Sequence, residues 1–249
     1  MLQRTSVKQF FDDPDNHSSI WFEHLKSYVP IPNKRRDTQK FMTLDAWYCA
    51  LDLSKGYVTR YELVEIMKWK LTRGEMRPLL KKIEALSNDA VQSATLEGLQ
   101  HIKLSLDDKS VASALNAISK PLSGVGPATA SAILARYSSS LPFMSDAGLI
   151  TTGCELKYTT SNYIKYYNII RMKVAQLNDD HQSKHTWTAR DVESVLHFLH
   201  SKSGTKISIQ SDIEVIQETH DNVCSAVKKD GTRCSYKAKI NDKCGVHSK

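Results

Sequence analysis

The chain has 249 residues, of which 41% are hydrophobic and 24% are charged, and both values are ordinary for a globular protein. Its 34 Lys and Arg residues against 27 Asp and Glu residues give a net charge of +7 at pH 7, which mildly favours a polyanionic partner. No apolar run approaches the roughly 20 residues of a membrane span, and the first residues lack the apolar stretch of a signal peptide. We therefore expect an intracellular protein without membrane partners, in the nucleus or the cytoplasm, with the nucleus favoured.

The first half of the chain shows the periodicity of amphipathic helices. One apolar face covers residues 20–29 and a second covers residues 41–51. Thr59 is followed three residues later by Glu62, and this capping-box spacing predicts the start of the next helix.

Two further boundaries follow in the same region. Gly74 interrupts the helical pattern, and Pro78 suits the first turn of a helix that reaches Leu86. Asn88 or Asp89 can cap the helix that comes next.

The second half continues in the same way, with helices predicted at residues 109–120, 127–137, 159–178 and 188–200. Asp107 or Asp108 caps the first of them, and Thr188 with Asp191 forms a second capping box. Residues 141–149 read as a loop. Since no stretch alternates like a strand, we predict an all-α fold for residues 1–202.

Residues 121–137, PLSGVGPATASAILARY, contain two glycines at the junction of two predicted helices. Without a Cβ, Gly124 and Gly126 can take positive φ and admit a close backbone approach. Val125 is expected to point inward and pin the two helices together. The free N–H groups that begin the second helix suit a phosphate.

This segment resembles the Leu-Pro-Gly-Val-Gly-x-x-Thr-Ala motif of the helix-hairpin-helix DNA glycosylase superfamily, with the hairpin at residues 110–137. The resemblance implies a grip on the backbone of duplex DNA, without reading of bases, and a monovalent cation at the hairpin. The implied backbone-binding residues are Leu122, Gly124, Val125, Gly126, Ala128 and Thr129. The alternative is a tight turn between two helices with nothing bound.

The same resemblance points to Asp146, which follows Gly126 by twenty residues. A carboxylate there implies stabilisation of an oxocarbenium-like transition state while a flipped base leaves. Ala128 occupies the position of the lysine in bifunctional members, and Cys154 alone cannot hold an iron–sulfur cluster. A monofunctional N-glycosylase-like hydrolase is therefore implied. Alternatively, Ser145 and Asp146 only cap a helix.

A basic stretch at KWKLTRGEMRPLLKK has two interpretations. Arg73, Arg77, Lys81 and Lys82 can line a DNA path, with Trp69 as a stacking side chain. The favoured alternative is a solvated basic face with Trp69 in the core.

Aromatic and histidine side chains elsewhere are interpreted structurally. Tyr163, Tyr166 and Tyr167 are expected in the core and at its rim. His181 and His185 lie four residues apart beside a polar turn with no third ligand, so we interpret them as loop residues.

The C-terminal part of the chain divides into a polar linker at residues 203–222 and a short module at residues 223–249. The module contains a three-Cys, one-His set suited to a structural Zn²⁺ ion: Cys224, Cys234, Cys244 and His247. Residues 221–249 carry a net charge of +4, which suits an auxiliary nucleic-acid contact or a protein-docking surface.

Taken together, the sequence predicts a DNA-binding protein of base-lesion repair or recognition. Two alternatives stay open: a non-catalytic DNA-binding adaptor that uses the zinc module for a protein partner, and a zinc-containing protein-interaction scaffold without nucleic acid.

Overall fold

The computed structural model describes residues 7–28, 38–73, 78–181 and 183–204. Within these ranges the chain forms eleven helices and no strand, so the predicted all-α class is confirmed there. The helices are α1 (Val7–Asp12), α2 (Ser18–Lys26), α3 (Thr38–Ala50), α4 (Arg60–Arg73), α5 (Leu80–Glu84), α6 (Asn88–Leu104), α7 (Asp108–Ser119), α8 (Pro127–Tyr137), α9 (Asp146–Thr152), α10 (Thr160–Asp179) and α11 (Ala189–Gly204).

The chain divides into two compact units, Met1–Thr205 and Lys206–Lys249. Only the first contains described residues, and its last helix ends at Gly204. The predicted zinc module at residues 223–249 and nearly all of the predicted linker lie outside the described residues. Among the described helices, none is both long enough and apolar enough to cross a bilayer.

Both predicted capping boxes are present. The backbone N–H of Thr59 donates to Glu62 Oε2 at 2.7 Å, and the N–H of Glu62 donates to Thr59 Oγ1 at 3.3 Å. Thr188 and Asp191 exchange the corresponding bonds at 3.0 and 3.2 Å. Each pair satisfies two N–H groups that a helix start leaves without partners.

Other boundaries differ from expectation by small shifts. Ser87, one residue before the predicted candidates, caps α6 by accepting the N–H of Ala90. Asp107 caps α7 as one of the two expected residues. The loop predicted at residues 141–149 ends early, because Ser145 caps α9 and accepts the N–H of Gly148.

Helices α6 and α7 pack at unusually close range. A Cβ at Gly98 would lie 2.5 Å from Ile118 Cγ1, so only glycine allows this approach. The pair brings the C-terminal end of α7 to the turn that leads into α8.

Helix α4 crosses the core and packs against α3, α5, α6 and α8. Trp69 on this helix is buried, stacks on Tyr48 with ring centroids 3.7 Å apart, and donates its indole N–H to Asp45 at 2.8 Å. Of the two interpretations of Trp69, the core position is therefore the one observed.

Candidate functional site

A pocket of about 130 Å³ opens where α4, the N-terminus of α8 and the start of α9 meet. We call it the Asp146 pocket. Its lining residues are Lys70, Arg73, Leu79, Gly126, Pro127, Ala128, Thr129, Phe143, Met144, Ser145, Asp146 and Tyr158. Three of the six residues implied in backbone binding thus share one pocket with the carboxylate implied in catalysis.

The α7–α8 turn (residues 120–126) contains the two glycines, and they serve different purposes. Gly124 has φ +86°, a left-handed conformation that L side chains rarely adopt, and a Cβ there would lie 3.1 Å from Lys82 Cβ. Gly126 has φ −103° and ψ 178°, so the expectation of positive φ is wrong for this residue. Among the described residues, and leaving aside the neighbours of Gly126 in the chain, no atom lies within 4 Å of the position of a Gly126 Cβ, which leaves room for a close approach by another molecule.

The apolar residues of the turn face the core. Leu122, Val125, Ala128 and Thr129 are all buried, with Val125 in the inward position expected for it. Since these side chains are covered, a partner at this turn does not reach them and meets the main chain and the exposed side chains of Lys120 and Ser123.

The start of α8 offers few backbone donors. The Gly126 carbonyl already accepts the N–H groups of Thr129 and Ala130, both at 2.9 Å, and Pro127 has no N–H. First-turn N–H groups otherwise lack intrahelical partners, which leaves the N–H of Ala128 to face the pocket.

The segment before Asp146 is tied to α8. Ser131 Oγ accepts the backbone N–H of Met144 at 2.9 Å and donates to the carbonyl of Ala128 at 3.0 Å. One buried hydroxyl therefore links the first turn of α8 to the segment that leads to Asp146.

Two tyrosines of α10 fix this stretch from the other side. Tyr163 donates its hydroxyl to the carbonyl of Pro142 at 2.9 Å, and Tyr166 donates to the carbonyl of Phe143 at 3.2 Å. A Cβ at Gly148 would collide with the Tyr166 hydroxyl, so α9 can approach α10 only through glycine. Burial raises the pKa of both hydroxyls well above the ordinary value, and they stay neutral donors. Their core position agrees with the prediction.

Asp146 is the first residue of α9 and is partly exposed to the pocket. Tyr158 donates its hydroxyl to Asp146 Oδ1. The loop that carries Tyr158 is held by Asn162, whose side-chain amide donates to the carbonyls of Glu155 and Lys157 at 2.7 and 2.8 Å. The carboxylate is therefore oriented by groups on two elements.

Arg73, on α4, also lines the pocket. Its Nη2 donates to both carboxylate oxygens of Glu193 on α11, at 2.9 and 3.1 Å, and the two side chains are only 4% and 3% exposed. The guanidinium carbon lies 4.9 Å from the ring centre of Trp69 and 5.3 Å from that of Phe143. Burial alone lowers the pKa of Arg73, but Glu193, Tyr28 and Asp45 together outweigh it, so the net shift of the pKa is upward and the group stays charged.

The residues of the basic stretch KWKLTRGEMRPLLKK differ in their exposure to solvent. Arg73 is buried, which corrects its predicted place on a solvated face; its carboxylate partner lies 120 residues away and gives no local signal. Lys81 and Lys82 are exposed on α5, beside the α7–α8 turn. Arg77 lies outside the described residues.

In the described ranges no cluster of three or more His, Cys, Asp and Glu side chains could hold a metal ion. His181 lies in the loop after α10, and His185 lies 3.3 Å from Asp191, within the second capping box. The four residues of the predicted zinc set fall outside the described residues.

No family model, no curated protein and no solved structure matches the chain. Function is therefore inferred from the Asp146 pocket and its surroundings.

Proposed function

We propose that the chain is a helix-hairpin-helix DNA-binding protein of base-lesion repair, and that it acts as a monofunctional N-glycosylase. In this proposal the α7–α8 turn binds the backbone of duplex DNA and Asp146 acts on a nucleotide that is flipped out of the stack. The observation that supports this proposal is the pocket that Asp146 shares with Gly126, Ala128 and Thr129.

The turn suits a phosphate because it offers main-chain donors and open space. The N–H of Ala128 lies at the positive end of α8, and in the described part of the chain no atom outside Gly126 and its neighbours lies within 4 Å of a Gly126 Cβ. Lys82 adds a cation next to Gly124. Such contacts position a duplex without reading its sequence.

Asp146 supplies the chemistry of bond cleavage. As the bond between C1′ and the base nitrogen breaks, its electron pair leaves with the base and positive charge develops on the sugar. The carboxylate stabilises that charge, water then attacks C1′, and the departing base is protonated by solvent. The hydroxyl of Tyr158 holds Asp146 in place for this step. Ala128 carries no amine, so a Schiff base does not form at that position.

The decisive experiment compares Asp146→Asn with a matched variant, Asp108→Asn. Asp108 is also the first residue of its helix and also accepts a side-chain hydrogen bond, from Asn168 at 2.9 Å, but it lies at the far end of α7 from the turn. Full-length protein is incubated with a panel of damaged duplexes and released bases are measured. We expect loss of base release in Asp146→Asn only. Equal activity in Asp146→Asn and the unaltered protein would exclude the catalytic role.

A second candidate is a DNA-binding adaptor without catalysis. It is favoured by the helix-start role of the same region, since Ser145 caps α9 and Asp146 is its first-turn acidic residue. In that case duplex binding persists at low salt while no lesion in the panel yields a free base.

We also propose that the C-terminal module is a structural zinc site that contacts nucleic acid or a protein partner, in a protein of the nucleus. Support comes from the spacing of its ligands, Cys224, Cys234, Cys244 and His247. Metal analysis should find one zinc per chain, and it should be lost in Cys234→Ser. A full-length protein that contains no zinc would refute the site.

A further inference from the structure

Arg73 supplies hydrogen-bond donors to the Asp146 pocket. Arg73 uses Nη2 for Glu193, while its Nε is buried without a partner and its Nη1 donates to no residue in the described part of the chain. Because Nε is closed off from solvent, Nη1 is the donor of Arg73 available to a ligand in the pocket, and an acceptor placed there would gain a charge-assisted hydrogen bond.

Two other polar side chains line the pocket. The carboxylate of Asp146 already accepts the hydroxyl of Tyr158, and Lys70 adds a positive charge. The remaining walls are apolar, from Leu79, Phe143 and Met144. The pocket thus suits a flat, neutral ring whose polar edge carries acceptors, and it suits a free phosphate poorly because a charged phosphate gains nothing from apolar walls.

We propose that the Asp146 pocket accepts a neutral base that presents carbonyl oxygens, as deaminated and oxidised bases do, and that Arg73 is the specificity residue that donates to one of those oxygens. Bases that carry a positive charge after alkylation are rejected because they meet the guanidinium and the ammonium of Lys70. This inference rests on the proposed function and names its substrate class.

Arg73 is suited to such a role because it cannot move away. Two aromatic faces flank its guanidinium, and Nη2 donates to both carboxylate oxygens of Glu193. A donor held in this way discriminates by position, since a base without an oxygen at that place leaves the donor unpaired.

The test uses full-length protein and duplexes with a central 2′-fluoroarabino nucleotide, in which the electron-withdrawing fluorine slows cleavage. Two matched pairs of bases are compared: uracil against cytosine methylated at ring nitrogen N3, and guanine oxidised at C8 against guanine methylated at N7. We expect the neutral member of at least one pair to bind about tenfold more tightly than its cationic partner.

Arg73→Lys keeps the charge and removes the planar donors, and we expect it to reduce this preference to less than about twofold. Arg60→Lys, on the exposed side of the same helix, is the control and should keep the full preference. If Arg73→Lys unfolds, the double variant Arg73→Gln with Glu193→Gln, which leaves no buried charge, takes its place.

The outcomes separate this inference from the proposed function. Equal or tighter binding of the cationic bases overturns the substrate class while DNA binding stands. If Arg73→Lys loses the same affinity for undamaged and damaged duplexes, and inorganic phosphate competes against both, then Arg73 binds the DNA backbone. That result also overturns the substrate class. Absence of any duplex binding at low salt overturns the proposed function itself.

Discussion

The two walls of the Asp146 pocket are stabilised in different ways. The wall formed by the α7–α8 turn and α8 rests on buried apolar side chains close together in sequence, such as Leu122 and Val125. The wall formed by α4 rests on a buried ion pair between Arg73 and Glu193, which are 120 residues apart. The first wall tolerates loss of one contact by relaxing, whereas the second leaves an unpaired charge when either partner is removed.

The largest expected effect therefore lies in the ion-pair wall. Glu193→Ala should lower the free energy of unfolding by about 3–5 kcal/mol, because it leaves the Arg73 guanidinium buried without its carboxylate. Urea denaturation measures this change. The double variant Arg73→Met with Glu193→Leu should regain most of the loss, and a cost below about 1 kcal/mol for the single variant would contradict the contrast between the walls.

In the turn wall, the two glycines should separate stability from binding. Gly124→Ala should cost about 1–3 kcal/mol, because alanine is strained at φ +86°. Gly126→Ala should leave stability nearly unchanged, since its backbone is extended and its surroundings are open. Its added methyl group should instead weaken duplex binding. Thermal unfolding measures the stability of each variant, and duplex titration measures its affinity for DNA. Equal effects of both variants on both measurements would argue against the turn as a binding element.

The ion-pair wall should also make stability depend on pH through His197. This side chain is buried on α11, and desolvation first, then the charges of Arg73 and His200, hold its pKa well below 6.5. The folded protein therefore keeps His197 neutral while the unfolded chain takes up a proton below pH 6.5, so stability falls as pH decreases through that value.

The expected loss from His197 is about 1.4 kcal/mol at one pH unit below 6.5. Urea denaturation between about pH 7.5 and about pH 5.5 measures it, and His197→Phe should flatten the profile by this amount. An unchanged slope in His197→Phe would show that other groups cause the dependence.

The smallest effect is expected at the edge of the turn wall. Lys82→Ala should remove about one phosphate contact and reduce the slope of log affinity against log salt by about 0.9. Lys103 is exposed near the C-terminal end of α6, so Lys103→Ala is the control and should leave the slope unchanged. Equal slopes in all three proteins would exclude Lys82 from the duplex contact.

The same contrast explains what could be predicted from the sequence. The Thr59–Glu62 box and the inward position of Val125 were predictable because their partners lie a few residues away. The start of α6 was displaced by one residue, since Ser87 and Asn88 are both good caps and only the backbone geometry selects between them.

Candidate-site residues that depend on distant partners were not predictable. A lone arginine in a basic stretch looks solvated until a carboxylate from α11 is placed beside it, as Glu193 is beside Arg73. Tyr158 lies in a loop without periodicity, and its contact with Asp146 depends on how Asn162 folds that loop. Asp146 itself was implied by the resemblance to the glycosylase superfamily, and both it and Gly126 line the pocket.

The bond from Met144 to Ser131 has a consequence for hydrogen exchange. The amide hydrogen of Met144 is buried and bonded to a hydroxyl that is itself anchored in α8. No local fraying of α9 releases it, so its exchange with solvent deuterium requires opening of the core. This amide should thus rank among the slowest of the chain, and its rate would report whether the stretch before Asp146 is preset before any ligand arrives.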